Sequence, residues 1–274
     1  LKDGELKVSE GALRDIVQNH LLQVLALTAM EAPVSFEADA IRDEKVKLLR
    51  SVRPLEPLGV AGPVVRGQYV GGAIDGHAVC AYRDEEGVAP ESMTETFVAL
   101  RLEIDNWRWA GVPFFLRTGK RMAEGARIIS IAFRDPPKSM FPAGSGIGQH
   151  GPDHLTFDLA DASKLSLSFY GKRPGPGMKL DKLSLQFALH ETGRERDVLE
   201  AYERLIHDAM SGDHTLFTTA EGIERLWELS TPLLDAPPPV RAYAPGSWGP
   251  NAIHQLIAPH AWRLPSERAC APNP

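Results

Sequence analysis

The fold class is decided by one stretch of sequence, TETFVALRLEIDNWRWAGVPFFLRTGKRM, at residues 94–122. Apolar and polar side chains alternate in places between Phe97 and Ile104, as they do in a half-buried strand. A second strand-like run, VPFFLRTG, follows within the same stretch. Further strand-like runs come later in the chain, with Gly and Pro clustered between them: ARIISIAFR, LTFDLA, KLSLSFYG and LSLQFAL. The middle of the chain is therefore predicted to be a succession of strands.

Helices are predicted on both sides of this block of strands. The first runs from about residue 10 to about residue 31, because Pro33 disfavours its continuation. Residues 39–51 have the apolar spacing of a second helix. Late helices are predicted at about 195–211 and 219–229. The proline-rich segment from Ala236 is expected to follow the protein surface.

The order of these elements lacks the strand–helix–strand alternation of a doubly wound nucleotide-binding fold. Helices, then strands, then helices predict an α+β fold with a large, mainly antiparallel β-sheet and packed helices. We expect a lead-in at residues 1–10 whose boundary is artificial, one α+β domain at residues 11–250 and a C-terminal tail at residues 251–274. The chain does not begin with Met, which indicates a processed or truncated protein.

Composition narrows the class of protein. Hydrophobic residues make up 43 % of the 274 residues and the formal net charge is −6, which favours a globular protein and argues against a nucleic-acid partner. The two cysteines, Cys80 and Cys270, fit no metal or redox motif and predict a reduced, cytoplasmic protein. The longest apolar run, LLQVLALTAM, is too short to cross a bilayer, so no membrane association is expected.

Established phosphate-loop and zinc-protease motifs are missing from the sequence, which contains no GxxxxGK[ST] and no HExxH pattern. The one GxGxxG spacing, GIGQHG at residues 146–151, lies in the Gly- and Pro-rich run of residues 134–152, which is predicted to be a loop. No metal and no cofactor-binding residue is therefore predicted in this chain. The glycine-rich GGAIDG at residues 71–76 precedes a strand-like segment, whereas a phosphate-binding loop leads into a helix.

His20 lies where the early helix changes from polar to apolar, in RDIVQNHLL. A histidine in this setting is more often a satisfied core residue than a catalyst, so both interpretations stay open. On an α-helix Asp15 and Asn19 share a face, whereas His20 lies about 140° from Asp15. The two side chains could still contact opposite parts of one ligand.

Lys120 follows a glycine at the end of an apolar strand, in LRTGKRM. Spacing alone favours an ordinary solvated turn lysine. Together with Arg117 and Arg121, however, it could form a compact cationic site for an anion.

Several of these segments together resemble the glucose-6-phosphate dehydrogenase family. In the expected order the chain contains the 94–122 stretch and also GALRDIVQNHLLQVLALTAMEAP, RGQY, EAYERLIHDAMSGDHTLF, WELSTPLL and YAPGSWGP. The resemblance runs from about Gly11 to Pro250 and covers only the C-terminal domain of the family. The N-terminal dinucleotide-binding half and the RIDHYLGK segment of the family are absent from this sequence.

The resemblance implies an oxidoreductase of the pentose phosphate pathway, active on glucose 6-phosphate. The family oxidises C1 of this sugar to the 6-phosphoglucono-lactone and transfers a hydride to NADP, or sometimes to NAD. By similarity His20 is the catalytic base, while Asp15 and Lys120 bind the substrate. NADP is held mainly by the missing half, so this chain alone is expected to be inactive. The sheet is expected to form a homodimer or homotetramer.

Three positions depart from the family pattern. Gly125 and Ala126 stand where many relatives carry basic residues, and Ala160 stands where glutamine is usual. These changes argue against a second, structural NADP site. They also fit a different class of protein, a non-catalytic structural or regulatory partner chain derived from this domain. A paralogue acting on another sugar phosphate is a third possibility.

Overall fold

A computed structural model of the protein describes residues 11–55, 62–159, 163–188 and 200–263. These residues form two compact units. The first is built from the described residues up to Ala123 and from Ala201 to Trp262, and the second from the described residues between Glu124 and Glu200 together with Arg263. The domain boundaries drawn from the sequence stay a prediction, because residues 1–10 and 264–274 lie outside the described ranges.

The first unit contains all the described α-helices. A π-helix at Leu13–Leu21 continues directly into α1, and the α-helices are α1 Leu22–Ala29, α2 Ala38–Ser51, α3 Ala201–Ser211, α4 Ala220–Asp235 and α5 Ala252–Ile257. The helix predicted at residues 39–51 is confirmed by α2. The prediction at 195–211 is confirmed from Ala201 onward, and its residues 195–199 lie outside the described part of the chain.

The strands of the first unit form a four-stranded sheet and a small hairpin. They are β1 Val64–Tyr69, β2 Gly72–Ile74, β3 His77–Val79, β4 Phe97–Leu102, β5 Phe114–Gly119 and β10 Val240–Tyr243. The sheet order is β10-β1-β4-β5, with β4 antiparallel to both neighbours and β10 parallel to β1. The sequence predicted that the segment from Ala236 follows the protein surface. This prediction is wrong for β10, because Tyr243 is buried and its ring lies 5.5 Å from that of Phe97.

The second unit is an antiparallel meander. Its strands are β6 Ile128–Ala132, β7 His154–Asp158, β8 Lys164–Lys172 and β9 Leu180–Ala188, paired in chain order. The α+β class with mainly antiparallel strands is thus confirmed. Among the described residues the strands are divided between two four-stranded sheets and the β2–β3 hairpin.

The core of the first unit lies on both faces of β4. Val98 and Leu100 pack into the cluster formed by the π-helix, α1, α2 and α4. Phe97 and Ala99 point to the opposite face, where they contact an aromatic cluster that includes Tyr243. Burial on both faces explains why FVAL at the start of this strand is a continuous apolar run.

Gly249 offers a test of how tightly the aromatic cluster is packed. A Cβ at this position would lie 2.4 Å from Cε2 of Phe97, and the backbone has φ +104°. We expect Gly249→Ala to lower the free energy of unfolding by about 1–3 kcal/mol more than Gly111→Ala does. Gly111 is the matched control, because it also has a positive φ but no atom within 4 Å of an added Cβ. Urea unfolding of both variants measures the difference, and equal losses would contradict close packing at Gly249.

Candidate active site

The helix that carries Asp15 and His20 is a π-helix over Leu13–Leu21. Its hydrogen bonds join residues five apart, as in the bond from the Leu22 N–H to the Val17 carbonyl. Asp15 and His20 are also five apart, so they lie one turn apart on the same side of the helix. The α-helical separation of about 140° expected from the sequence is therefore wrong here.

The π spacing also determines which residues of this helix are buried. Leu13, Val17, Gln18 and Leu22 face the core, whereas His20 is exposed and Asp15 is half-buried. The core-histidine interpretation of His20 is thus wrong. Its imidazole makes no hydrogen bond or ion pair within residues 11–55, 62–159, 163–188 and 200–263. The apolar residues of the helix do not surround the ring, because they point to the opposite side.

The first turn of the π-helix is held by Glu95, just before β4. The Leu13 N–H donates to Oε1 of Glu95 at 3.0 Å, and the Ala12 N–H donates to the Glu95 carbonyl at 3.1 Å. A Cβ on Gly11 would lie 2.1 Å from the same Oε1. The close approach of helix and carboxylate therefore requires glycine at position 11.

Glu95 forms a buried ion pair with Arg66 of β1. The side chains are 7 % and 8 % exposed, and Nη2 and Nε of Arg66 lie 2.8 and 3.1 Å from Oε2 of Glu95. Arg66 also donates to the carbonyls of Pro238 and Met93, each at 2.9 Å. These bonds offset the cost of removing both charges from water.

Lys120 is fixed through the residue after Glu95. The Lys120 N–H donates to the Thr96 carbonyl at 2.9 Å, and the Tyr243 hydroxyl donates to the Lys120 carbonyl at 2.8 Å. The lysine side chain is exposed. Two consecutive residues therefore hold both segments by hydrogen bonds. Glu95 holds the helix of Asp15 and His20, and Thr96 holds the turn of Lys120.

Arg117 does not belong to the same cationic site as Lys120. Along β5 its side chain points away from the face of Leu116, which packs against the helices. The Arg117 guanidinium lies 4.6 Å from the Trp262 ring centroid and 5.3 Å from that of Trp248. Burial lowers the pKa of Arg117 to about 10, so it stays charged at neutral pH. The predicted compact cluster is therefore wrong for this residue.

The glycine-rich GGAIDG segment forms the β2–β3 hairpin. Asp75 and Gly76 at its tip have φ of 50° and 80°, the pattern of a type I′ turn. GIGQHG at residues 146–151 lies between the strands β6 and β7, whereas a dinucleotide-binding loop leads from a strand into a helix. No cluster of three metal-ligating side chains occurs among the described residues 11–55, 62–159, 163–188 and 200–263, and no helix in this part of the chain is long and apolar enough to span a membrane.

Comparison with known proteins identifies the family. The profile described as "Glucose-6-phosphate dehydrogenase, C-terminal domain" matches residues 8–263, and the chain belongs to this family. It is 42 % identical over 262 residues to glucose-6-phosphate 1-dehydrogenase of Aggregatibacter actinomycetemcomitans, covering 93 % of this chain and 52 % of the relative. The Rhizobium meliloti enzyme is 44 % identical over 253 residues, with coverage of 90 % and 50 %. The chain thus spans about half the length of the curated relatives it matches.

Solved structures show the same relationship. Glucose-6-phosphate 1-dehydrogenase from Mycobacterium avium has a TM-score of 0.77 and 38 % identity, over 93 % of this chain and 51 % of that one. A glucose-6-phosphate dehydrogenase in complex with its substrate glucose-6-phosphate has a TM-score of 0.76 and 34 % identity, with the same coverage.

The sequence pointed to Asp15, His20 and Lys120 but not to the residues that hold them. Glu95, Arg66 and Tyr243 received no role, although a charged residue in the apolar run VVRGQY could have drawn attention to Arg66. Among the departures from the family pattern, Gly125 and Ala126 are exposed, and Ala160 lies outside the described residues.

Tyr243 links site geometry to alkaline stability. Burial raises its pKa from 10 to about 12, so the folded state keeps the phenol protonated where the unfolded state ionises. The stabilisation that this proton gives to the folded state is present in full below pH 10 and is lost as the pH rises towards 12. We expect Tyr243→Phe to lower the free energy of unfolding by about 1 kcal/mol at pH 7, because a hydrogen bond is lost. Between pH 10 and 12 the free energy of unfolding of the variant should fall by about 2–3 kcal/mol less than that of the native protein.

Urea unfolding of both proteins across this range measures the effect. Tyr69, whose pKa burial also raises, contributes to both proteins and cancels in the comparison. Parallel pH profiles would contradict a buried, protonated Tyr243.

Proposed function

We propose that the chain is the substrate-binding, catalytic-base and oligomerisation half of a cytoplasmic, NADP-dependent glucose-6-phosphate dehydrogenase of the pentose phosphate pathway. The observation that carries this proposal is the π-helix, whose spacing puts the half-buried Asp15 and the exposed His20 on one side. The relatives that match nearly the whole chain are enzymes of this name.

His20 is proposed to act as the base. As C1 of glucose 6-phosphate is oxidised to the lactone carbonyl, its hydroxyl proton passes to the imidazole. An imidazole nitrogen can accept this proton and release it again in each turnover. Because the ring makes no hydrogen bond within the described parts of the chain, its nitrogens are available to the sugar.

Asp15 and Lys120 are proposed to bind the same molecule. The carboxylate of Asp15 is an acceptor for sugar hydroxyls, one helical turn from His20. The ammonium of Lys120 attracts an anionic, polyhydroxylated ligand. Attachment of both segments to Glu95 and Thr96 supports a shared site, because it ties the helix to the lysine turn.

The hydride acceptor requires residues outside this chain. A nicotinamide dinucleotide supplies that acceptor when bound. We propose that NADP, or alternatively NAD, is held mainly by a dinucleotide-binding half absent from the sequence. The chain alone is then inactive in hydride transfer.

A non-catalytic partner chain is the second candidate. The exposed Gly125 and Ala126, which replace the basic residues of many relatives, favour it. The intact mass of the protein from its source cell separates the two. A mass about 20 kDa or more above 30.0 kDa supports the dehydrogenase, and a mass near 30.0 kDa supports the partner chain.

The catalytic role of His20 is tested by His20→Asn in the intact protein. We expect kcat for glucose 6-phosphate oxidation to fall by about 10²–10⁴-fold, because the proton acceptor is lost. His77→Asn is the matched control, since His77 is exposed on the β2–β3 hairpin and should leave the rate unchanged. Activity within threefold of the native protein would contradict the assignment of the base.

The second sheet is proposed to form the homodimer or homotetramer interface. Its apolar side chains lie in cross-strand rows on one face: Ile129–Phe157–Leu165–Phe187, Ile131–Leu155–Leu167–Leu185 and Phe169–Leu183. The most exposed of these, Leu185, is 65 % exposed. Buried Thr156 and Ser168 lie on the opposite, polar face. The sheet thus exposes its apolar side, as an interface between subunits does.

Leu185→Lys tests this interface. We expect light scattering to give about 60 kDa or a multiple of it for the native chain, since one copy is 30.0 kDa. The variant should dissociate, because it places a charge in the apolar rows. Gln186→Lys is the control, as the next residue of β9 points to the other face and is also exposed. A monomeric native chain, or a variant that assembles normally, would refute the interface.

A further inference from the structure

We propose that Glu95 is a positioning residue for the substrate site, whose carboxylate holds the helix of Asp15 and His20 in its π register. This inference rests on the proposed function only for what the two side chains bind. The helix register itself is a property of the chain and can be measured separately.

The carboxylate lies where the helix start needs an acceptor. The first N–H groups of a helix have no partner within the helix, and its N-terminus carries partial positive charge. Oε1 of Glu95 accepts the Leu13 N–H at 3.0 Å, from a side chain 82 residues away in sequence. At 7 % exposure this bond is sheltered from competing water.

Arg66 keeps the carboxylate from moving. It donates to Oε2 of Glu95 through Nε and Nη2, which leaves Oε1 for the helix. Arg66 is itself held by the carbonyls of Pro238 and Met93. The position of the helix start is thus set by the sheet and not by the helix sequence.

The far end of the π-helix is fixed as well. It continues into α1, where Leu22, Leu25 and Ala26 are each at most 3 % exposed. With both ends held, the nine intervening residues adopt the wider i→i+5 spacing, which is rare in proteins and needs support from its surroundings. Release of the first turn would allow α spacing, which places His20 about 140° from Asp15.

Glu95→Gln tests the proposal in the 274-residue chain. The amide keeps the shape of the carboxylate but lacks its charge and places an NH2 group where Arg66 or Leu13 must donate. The variant's crystal structure should show the backbone N–H of His20 bonded to the carbonyl of Ile16, as in an α-helix, and not to the carbonyl of Asp15, as in the π register. An unchanged i→i+5 register would overturn the proposal.

A second variant covers the case in which Glu95→Gln does not fold. Glu95→Met combined with Arg66→Met removes both charges while keeping apolar volume, a replacement that buried ion pairs often tolerate. It should fold and show the same change of register. If it folds with the π register intact, the carboxylate is not what holds the helix.

Binding of glucose 6-phosphate gives the functional readout. Followed by the NMR signal of the His20 ring, the Kd should rise at least tenfold in Glu95→Gln. Val46→Ala, which removes buried apolar volume where α2 meets Gly222 of α4 in the same unit, should bind like the native chain. An equal Kd for Glu95→Gln and the native chain would also overturn the proposal.

A native chain that does not bind the sugar phosphate would refute the proposed substrate site. The register measurement would still decide the role of Glu95 in that case, since it needs no ligand. The two failures are therefore distinguishable.

Discussion

The buried ion pair between Arg66 and Glu95 is the interaction on which the rest of the first unit depends. Two charges removed from water cost free energy unless every donor and acceptor is used. Here the carboxylate takes the guanidinium and the Leu13 N–H, and the guanidinium also reaches the carbonyls of Pro238 and Met93. One pair therefore joins β1, the π-helix, the approach to β4 and the segment before β10.

This constraint explains how residues distant in sequence are tied together in the proposed substrate site. Glu95 holds the helix of Asp15 and His20, and the adjacent Thr96 holds the turn of Lys120. Of the proposed site residues, His20 and Lys120 are exposed and Asp15 is half-buried, whereas the groups that hold their segments are buried. The proposal therefore assigns substrate contact and stability to different residues.

The two sheets use their faces in opposite ways. β4 in the first sheet is buried on both faces, so its apolar residues serve the core of the unit. The second sheet exposes the apolar rows that contain Leu185 and Phe187 and buries polar residues such as Thr156. Burial of those rows against another copy would remove an apolar surface from water. The two sheets therefore suit different roles, support of the site and assembly.

The sequence by itself determined the α+β class, helix α2, the succession of strands and the candidates Asp15, His20 and Lys120, because periodicity and motifs are local. Tertiary structure decided the rest. The π register needs an acceptor 82 residues away, and β10 becomes a strand only beside β1, whose residue Arg66 pairs with Val240. The α-helical geometry assumed from the sequence therefore put Asp15 and His20 on different faces of the helix, whereas the π spacing puts them on one side. Local patterns carry no information about such distant partners, and these partners determine the geometry of the site.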